Sequence, residues 1–157
     1  MAEAGVGPDD LVLDIGAGRG ALTRPLLATG ARVLAVELHP GRLYALHRLA
    51  DGEERLTVVR ADARDLRLPR RPFRVVSSPP YAGASAVVAR LLGPGSRLLT
   101  ADLVVQRQLA RRWAEGRAPG AGRWGHTFDV EIVRALPRSA FRPPPRVDSV
   151  VLRISRP

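Results

Sequence analysis

The chain has 157 residues, enough for one compact domain and short of two ordinary ones; 45% are hydrophobic, in blocks that exclude a disordered or collagen-like chain, and no apolar run approaches the roughly 18 residues that span a bilayer. The absence of cysteine excludes a disulfide framework and a thiol nucleophile, and three scattered histidines, His39, His47 and His126, leave no metal site expected. A formal net charge of +10, carried by 25 basic residues that are all arginine, fits a polyanionic partner and equally a solvated basic surface on a chain with arginine-biased coding.

The first ten residues, MAEAGVGPDD, have no basic region leading into an apolar run, so a cytoplasmic location without membrane engagement is expected; a monomer is the separate expectation for the single domain. Leu11 to Ile15 (LVLDI) reads as a buried strand entering a glycine turn, Gly16 to Gly20, and ALTRPLLATG as a helix closed by Gly30. Arg32 to Glu37 is a second strand, Pro40 to Ala50 a helix, Leu56 to Arg60 a third strand, Phe73 to Ser77 a fourth, and Ala84 to Leu92 a helix. Leu98 to Gln106 reads as a fifth strand, with an arginine-rich helical end after it and a glycine-rich loop from Arg117 to Gly125. TFDVEIVRAL and DSVVLRI alternate and predict a closing antiparallel pair, joined by a proline-rich stretch around Phe141 to Arg146. Strands alternating with helices predict a doubly wound α/β domain with a mostly parallel sheet. Its ligand crevice lies beyond the carboxyl ends of the strands, where strand order reverses.

The first turn, Asp14-Ile15-Gly16-Ala17-Gly18-Arg19-Gly20, is spaced D-x-G-x-G-x-G, unlike the dinucleotide fingerprint G-x-G-x-x-G. A carboxylate at the mouth of the loop repels a pyrophosphate and favours a ligand carrying positive charge. S-adenosylmethionine, with an ammonium and a sulfonium, meets that demand. Glu37, ending the second strand with Leu38 beside it, is placed to accept hydrogen bonds from two ribose hydroxyls. Asp62, followed by Ala63, is placed to accept one from an adenine amine. Each acid alone also fits a cap or turn role. Three of them at successive strand ends around one glycine loop favour a methyl-donor pocket.

After the fourth strand comes Ser77-Ser78-Pro79-Pro80-Tyr81. Here the chain resembles amino methyltransferases, which carry a D/N/S-P-P-Y/F/W segment at this position. The Ser78 side chain, which also borders the donor pocket, and the Pro79 carbonyl can accept hydrogen bonds from an exocyclic amine and localise its lone pair. The prolines fix that geometry in advance. Tyr81 offers a face on which an extruded base can stack.

Three further segments, DIGAGRGALT (14 to 23), LVVQRQLARRW (103 to 113) and FRPPPRVDSVVLRI (141 to 154), resemble the ribosomal RNA adenine N6-methyltransferases of the erythromycin-resistance and dimethyladenosine-transferase group. The last matches that family's F-x-P-x-P-x-V-x-S signature, and the resemblance covers nearly the whole chain. It implies a Rossmann-like class I S-adenosylmethionine-dependent methyltransferase domain over residues 1 to 157, with Phe141 helping to form the base pocket opposite Tyr81. It also implies N6-methylation of adenine in 23S-type ribosomal RNA, with macrolide resistance as a consequence. The family's cofactor-covering N-terminal segment and helical RNA-gripping C-terminal domain are expected to be absent. The family has Asn where this chain has Ser78, and Ser-Pro-Pro-Tyr also resembles cytosine N4-methyltransferases. A cytosine- or DNA-directed enzyme and a non-catalytic RNA-binding remnant therefore stay open.

Charge is uneven along the chain. Residues 1 to 103 carry 14 Arg against 11 acids, and residues 104 to 157 carry 11 Arg against 4 acids. Arg107, Arg111, Arg112, Arg117 and Arg123, with Arg142 and Arg146, are the expected contacts to ribosomal RNA.

Overall fold

The structure is a computed structural model that describes residues 4–157. Seven strands, β1 (Leu11–Ile15), β2 (Arg32–Glu37), β3 (Leu56–Arg60), β4 (Phe73–Ser77), β5 (Leu98–Gln106), β6 (Asp129–Leu136) and β7 (Ser149–Ser155), form one sheet in the order β3-β2-β1-β4-β5-β7-β6. The first five are parallel. β7 runs antiparallel between β5 and β6, so it alone is reversed. Its register is pinned by a paired ladder from Thr100↔Ser155 to Gln106↔Ser149 and by Arg153, whose Nε donates to Asp102 Oδ1 at 2.8 Å across that ladder.

Helices cover both faces. On one, Leu26 and Leu27 of α1 (Thr23–Ala28) and Leu46 of α2 (Pro40–Ala50) pack on Val12, Val33 and Ala35. On the other, Val87, Val88 and Leu91 of α3 (Ala84–Leu91) share a larger core with Ala110 and Trp113 of α4 (Arg107–Ala114), against Leu13, Val75, Leu103 and Leu152. Central strands buried on both faces require continuous apolar runs, which is why LVLDI and FRVVS read as strands directly. α2 starts where His39 Nδ1 accepts the Gly41 amide at 3.2 Å and Pro40 takes the first position, where its missing N–H is harmless.

Two elements differ from expectation. α1 is six residues long and begins at Thr23 rather than Ala21, because the glycine turn, with Gly20 at φ +94, carries on through Leu22. β6 is exposed along most of both faces, as an edge strand is, with Ile132 and Val133 at its surface. Strand order reverses beside β1, whose neighbours are β2 and β4, so the crevice lies at the ends of those strands.

Candidate active site

Hydrogen bonds gather the expected donor-pocket residues around the turn after β1. Gly16 and Ala17 donate their amides to the Val36 carbonyl of β2, at 2.8 and 3.0 Å, and so bend the turn over that strand. Gly16 (φ +77) and Gly18 (φ +59) hold left-handed backbone that favours glycine. They face different surroundings. A side chain on Gly16 would stand 2.8 Å from Pro80 Cδ, whereas one on Gly18 would meet open space. The turn therefore abuts the Ser78-Pro79-Pro80-Tyr81 segment at one glycine and leaves room for a ligand at the other.

Asp14 lies deeper than its place in the motif suggests. It is almost wholly buried beneath the turn and accepts from the Thr23 hydroxyl at 2.7 Å. Burial pushes its carboxyl up to about 6, with the Glu37 charge adding to the rise and the Thr23 bond opposing it. Thr23 was no candidate on sequence grounds, and its only signal is the Leu-Thr that trails the glycine motif. Glu37 holds the turn from the other side: its Oε2 accepts from Gly18 at 2.8 Å, and its Oε1 from Leu38 and His39 at 2.8 and 2.9 Å. Burial pushes this carboxyl up, but those three amides outweigh it and hold it below the ordinary value. Oε1 is saturated and Oε2 keeps one acceptor position, so holding two ribose hydroxyls requires an amide to withdraw. Gly18, with open space around it, is the one able to do so.

Asp62 follows β3 beside the end of β2, where the Ala61 amide donates to the Glu37 carbonyl at 3.2 Å. Its carboxylate caps the short 3-10 turn Ala63–Asp65 and pairs with Arg64 at 2.7 Å, which holds it down to about 2. The cap role is the one the structure displays. An adenine amine would have to share this carboxylate with Arg64. Leu38 is 49% exposed, an apolar side chain at the ends of the strands, suited to the face of a purine. Two carboxylates close enough to perturb each other, a glycine with free space above it and an exposed leucine together fit a cationic nucleoside donor.

Ser78 is half-buried and Pro79 buried, while the Tyr81 ring is 37% exposed at the rim. The Tyr81 hydroxyl lies 2.9 Å from Ser149 Oγ, the serine that ends the F-x-P-x-P-x-V-x-S segment. Phe141 is half-buried on the β6–β7 connection, which leaves and re-enters the sheet at the Leu136↔Ser149 pair, the same edge as Tyr81.

The arginines divide. Arg107, Arg111 and Arg146 line one hollow of about 530 Å³ with Arg138, which sequence reasoning missed. Arg138 sits on a short 3-10 turn with no periodicity to reveal it, and pairs with Asp148 at 3.1 Å. Arg112 faces a separate hollow with Ser85 and Trp113, Arg117 is paired with Glu115, and Arg123 and Arg142 are exposed elsewhere. Two larger hollows, of about 800 and 600 Å³, contain none of the expected donor or base residues. Among the described residues no group of three or more potential ligands could hold a metal, and no helix is long and apolar enough to cross a membrane.

A family model described as ribosomal RNA adenine dimethylase matches residues 1–157. The chain is 34% identical over 156 residues to an rRNA adenine N-6-methyltransferase of Bacillus licheniformis, covering 98% of this chain and 54% of that protein. It is 41% identical over 152 residues to a probable ribosomal RNA small subunit methyltransferase A of Haloarcula marismortui, covering 90% and 51%. Among solved structures, the 23S rRNA methyltransferase ErmE superposes with a TM-score of 0.88 at 32% identity, over 99% of this chain and 65% of that one. A dimethyladenosine transferase from Plasmodium falciparum gives 0.81 at 25%, over 98% and 58%. The expected Rossmann-like methyltransferase fold is thus the observed one, and the chain spans about half the length of the curated relatives it matches.

Proposed function

The chain belongs to the ribosomal RNA adenine dimethylase family, and from that premise we propose that it transfers a methyl group from S-adenosylmethionine to the N6 amine of an adenine in 23S-type ribosomal RNA. The observation that carries this reading is the contact of Pro80 with Gly16, so close that a Cβ would not fit. It supports the reading by bringing the segment from Ser78 to Tyr81 directly against the glycine turn after β1.

When bound, the donor supplies an electrophilic methyl group. The chain's own residues supply position. Ser78 Oγ and the Pro79 carbonyl accept the amine protons and turn the nitrogen lone pair out of conjugation with the ring. Two prolines add no competing N–H and fix the backbone on which both acceptors ride. Tyr81 and Phe141 flank the extruded base. As the nitrogen takes the methyl group it becomes a strongly acidic cation that gives its proton to water, so no general base is required. Arg107, Arg111, Arg138 and Arg146 hold phosphates of the same RNA. Action on ribosomal RNA fits a cytoplasmic location, and methylation of the 23S-type target would lower macrolide susceptibility in a host that expresses it.

Incubation with radiolabelled donor and ribosomal RNA, followed by nucleoside analysis, tests the reading. N6-methylated adenosine is expected, and N4-methylcytidine or absence of label would overturn it. Stacking on an aromatic ring contributes about 1 to 3 kcal/mol, so Tyr81→Ala should slow transfer roughly 5- to 150-fold while donor binding, followed by calorimetry, stays near that of the parent.

A further inference from the structure

Two motifs far apart in the chain meet at one hydrogen bond. The Tyr81 hydroxyl and Ser149 Oγ are 2.9 Å apart, and the residues are separated by 68 positions. Ser149 opens β7, is 1% exposed and pairs with Gln106 and Leu136, so its backbone is held by strands on both sides. Tyr81 is the reverse case, a partly exposed ring on the 3-10 turn Tyr81–Gly83. One member of the pair is a fixed point and the other needs fixing. Pro80 against Gly16 anchors the backbone at the start of this turn. It leaves the direction of the side chain free, and the hydroxyl, at the far end of the ring axis, is the single polar group through which that direction can be held.

We propose that Ser149 is a positioning residue: its hydroxyl holds the Tyr81 phenol oxygen so that the long axis of the ring is aimed for stacking before the base arrives. This rests on the reading of Tyr81 as the platform for the target base. The tether assigns a task to the last residue of the F-x-P-x-P-x-V-x-S segment and couples the closing strand to the amine-holding segment. A ring fixed in advance loses less freedom when the base stacks. Either hydroxyl can donate, so the bond does not depend on the protonation of any neighbour.

The two ends of the tether can be cut separately. Ser149→Ala removes the anchor, and Tyr81→Phe removes the phenol oxygen while keeping the aromatic face. Loss of one neutral hydrogen bond predicts that each slows kcat by about 2- to 12-fold, with KM for the methyl donor unchanged. The double variant should be no slower than the slower single one, because both cut the same bond. A second readout is independent of turnover. The chain has two tyrosines, Tyr44 and Tyr81, so fluorotyrosine labelling gives two fluorine resonances, and Ser149→Ala should move that of Tyr81 alone. Ser149→Ala at the parental rate, losses that multiply in the double variant, or an unmoved Tyr81 resonance would each overturn the proposal. If the parent methylates no RNA, the reading of function falls, and the resonance still decides whether the tether exists.

Discussion

Asp14 is a carboxyl kept where a neutral residue would sit more comfortably, and the sign of its titration separates its structural from its functional effect. Its pKa is raised from 3.8 to about 6, so between about pH 4 and 6 the folded chain holds a proton that the unfolded chain has released. The stabilisation from that proton is present in acid and is lost as pH rises through the folded value. At pH 7 the ionised form costs about 3 kcal/mol, because each tenfold change in a proton-binding equilibrium is worth roughly 1.4 kcal/mol. Asp14→Asn keeps an oxygen to accept from the Thr23 hydroxyl and removes the charge. It should therefore be more stable than the parent at pH 7, with the gain shrinking toward zero near pH 4, as read by urea unfolding over that range. Donor binding should run the other way. A cationic ligand favours the carboxylate, so parental affinity should rise as pH passes about 6, and the variant should bind weakly at every pH. Equal stability profiles would refute the cost of the buried charge, and tight donor binding by the variant would remove Asp14 from the site. A residue that destabilises the fold at working pH while serving the ligand is where local rules are expected to be broken.

At the scale of elements, the turn after β1 and the segment after β4 behave as one unit, and two of the turn's left-handed glycines, Gly16 and Gly18, should respond differently to a methyl group. Either substitution adds strain of roughly 1 to 2 kcal/mol from the left-handed backbone. Gly16→Ala also drives its Cβ into Pro80, so it should lose further stability and slow methyl transfer by displacing the amine acceptors. Gly18→Ala meets no protein atom and should instead weaken the donor, leaving kcat at saturation closer to the parent. Thermal unfolding with separate kcat and KM values for the donor checks this; matching profiles for the two variants would mean that the turn is a plain connector. How far these elements were legible follows from what periodicity records. LVLDI, RVLAVE and FRVVS are buried on both faces and betray themselves as apolar runs, and the alternation of DSVVLRI shows a strand covered unevenly. The depth of Asp14, the engagement of Asp62 by Arg64 and the meeting of Tyr81 with Ser149 left no such mark. Arg64 is only two residues from Asp62, so that pairing is a choice of side-chain rotamer, whereas the depth of Asp14 and the bond of Tyr81 depend on which distant backbone comes close. Arg138 stayed hidden for the same reason, since only the pairing of β6 with β7 carries it to the hollow beside Arg107.

For the whole molecule, the +10 charge guarantees some attraction to any polyanion, so the informative quantity is which arginines set the salt dependence. Attraction by diffuse surface charge would make every arginine count alike. The structure singles out one hollow, where Arg107, Arg111, Arg138 and Arg146 converge next to the strand edge that carries Ser149, the partner of Tyr81; under the proposed function these are the arginines that hold the phosphates flanking the base. Each phosphate neutralised on a single strand adds roughly −0.7 to the slope of log affinity against log salt. Arg111→Ala and Arg146→Ala should each make that slope shallower by about that amount. Arg138, already paired with Asp148, should contribute less. Arg117, beyond the end of α4 and paired with Glu115, should leave the slope unchanged when replaced by alanine. Fluorescence anisotropy with a short adenine-containing RNA hairpin, titrated at several salt concentrations, separates the two cases. Equal changes in slope for Arg111→Ala, Arg146→Ala and Arg117→Ala would show that the RNA reads the overall charge of the chain and that the hollow holds no particular phosphate.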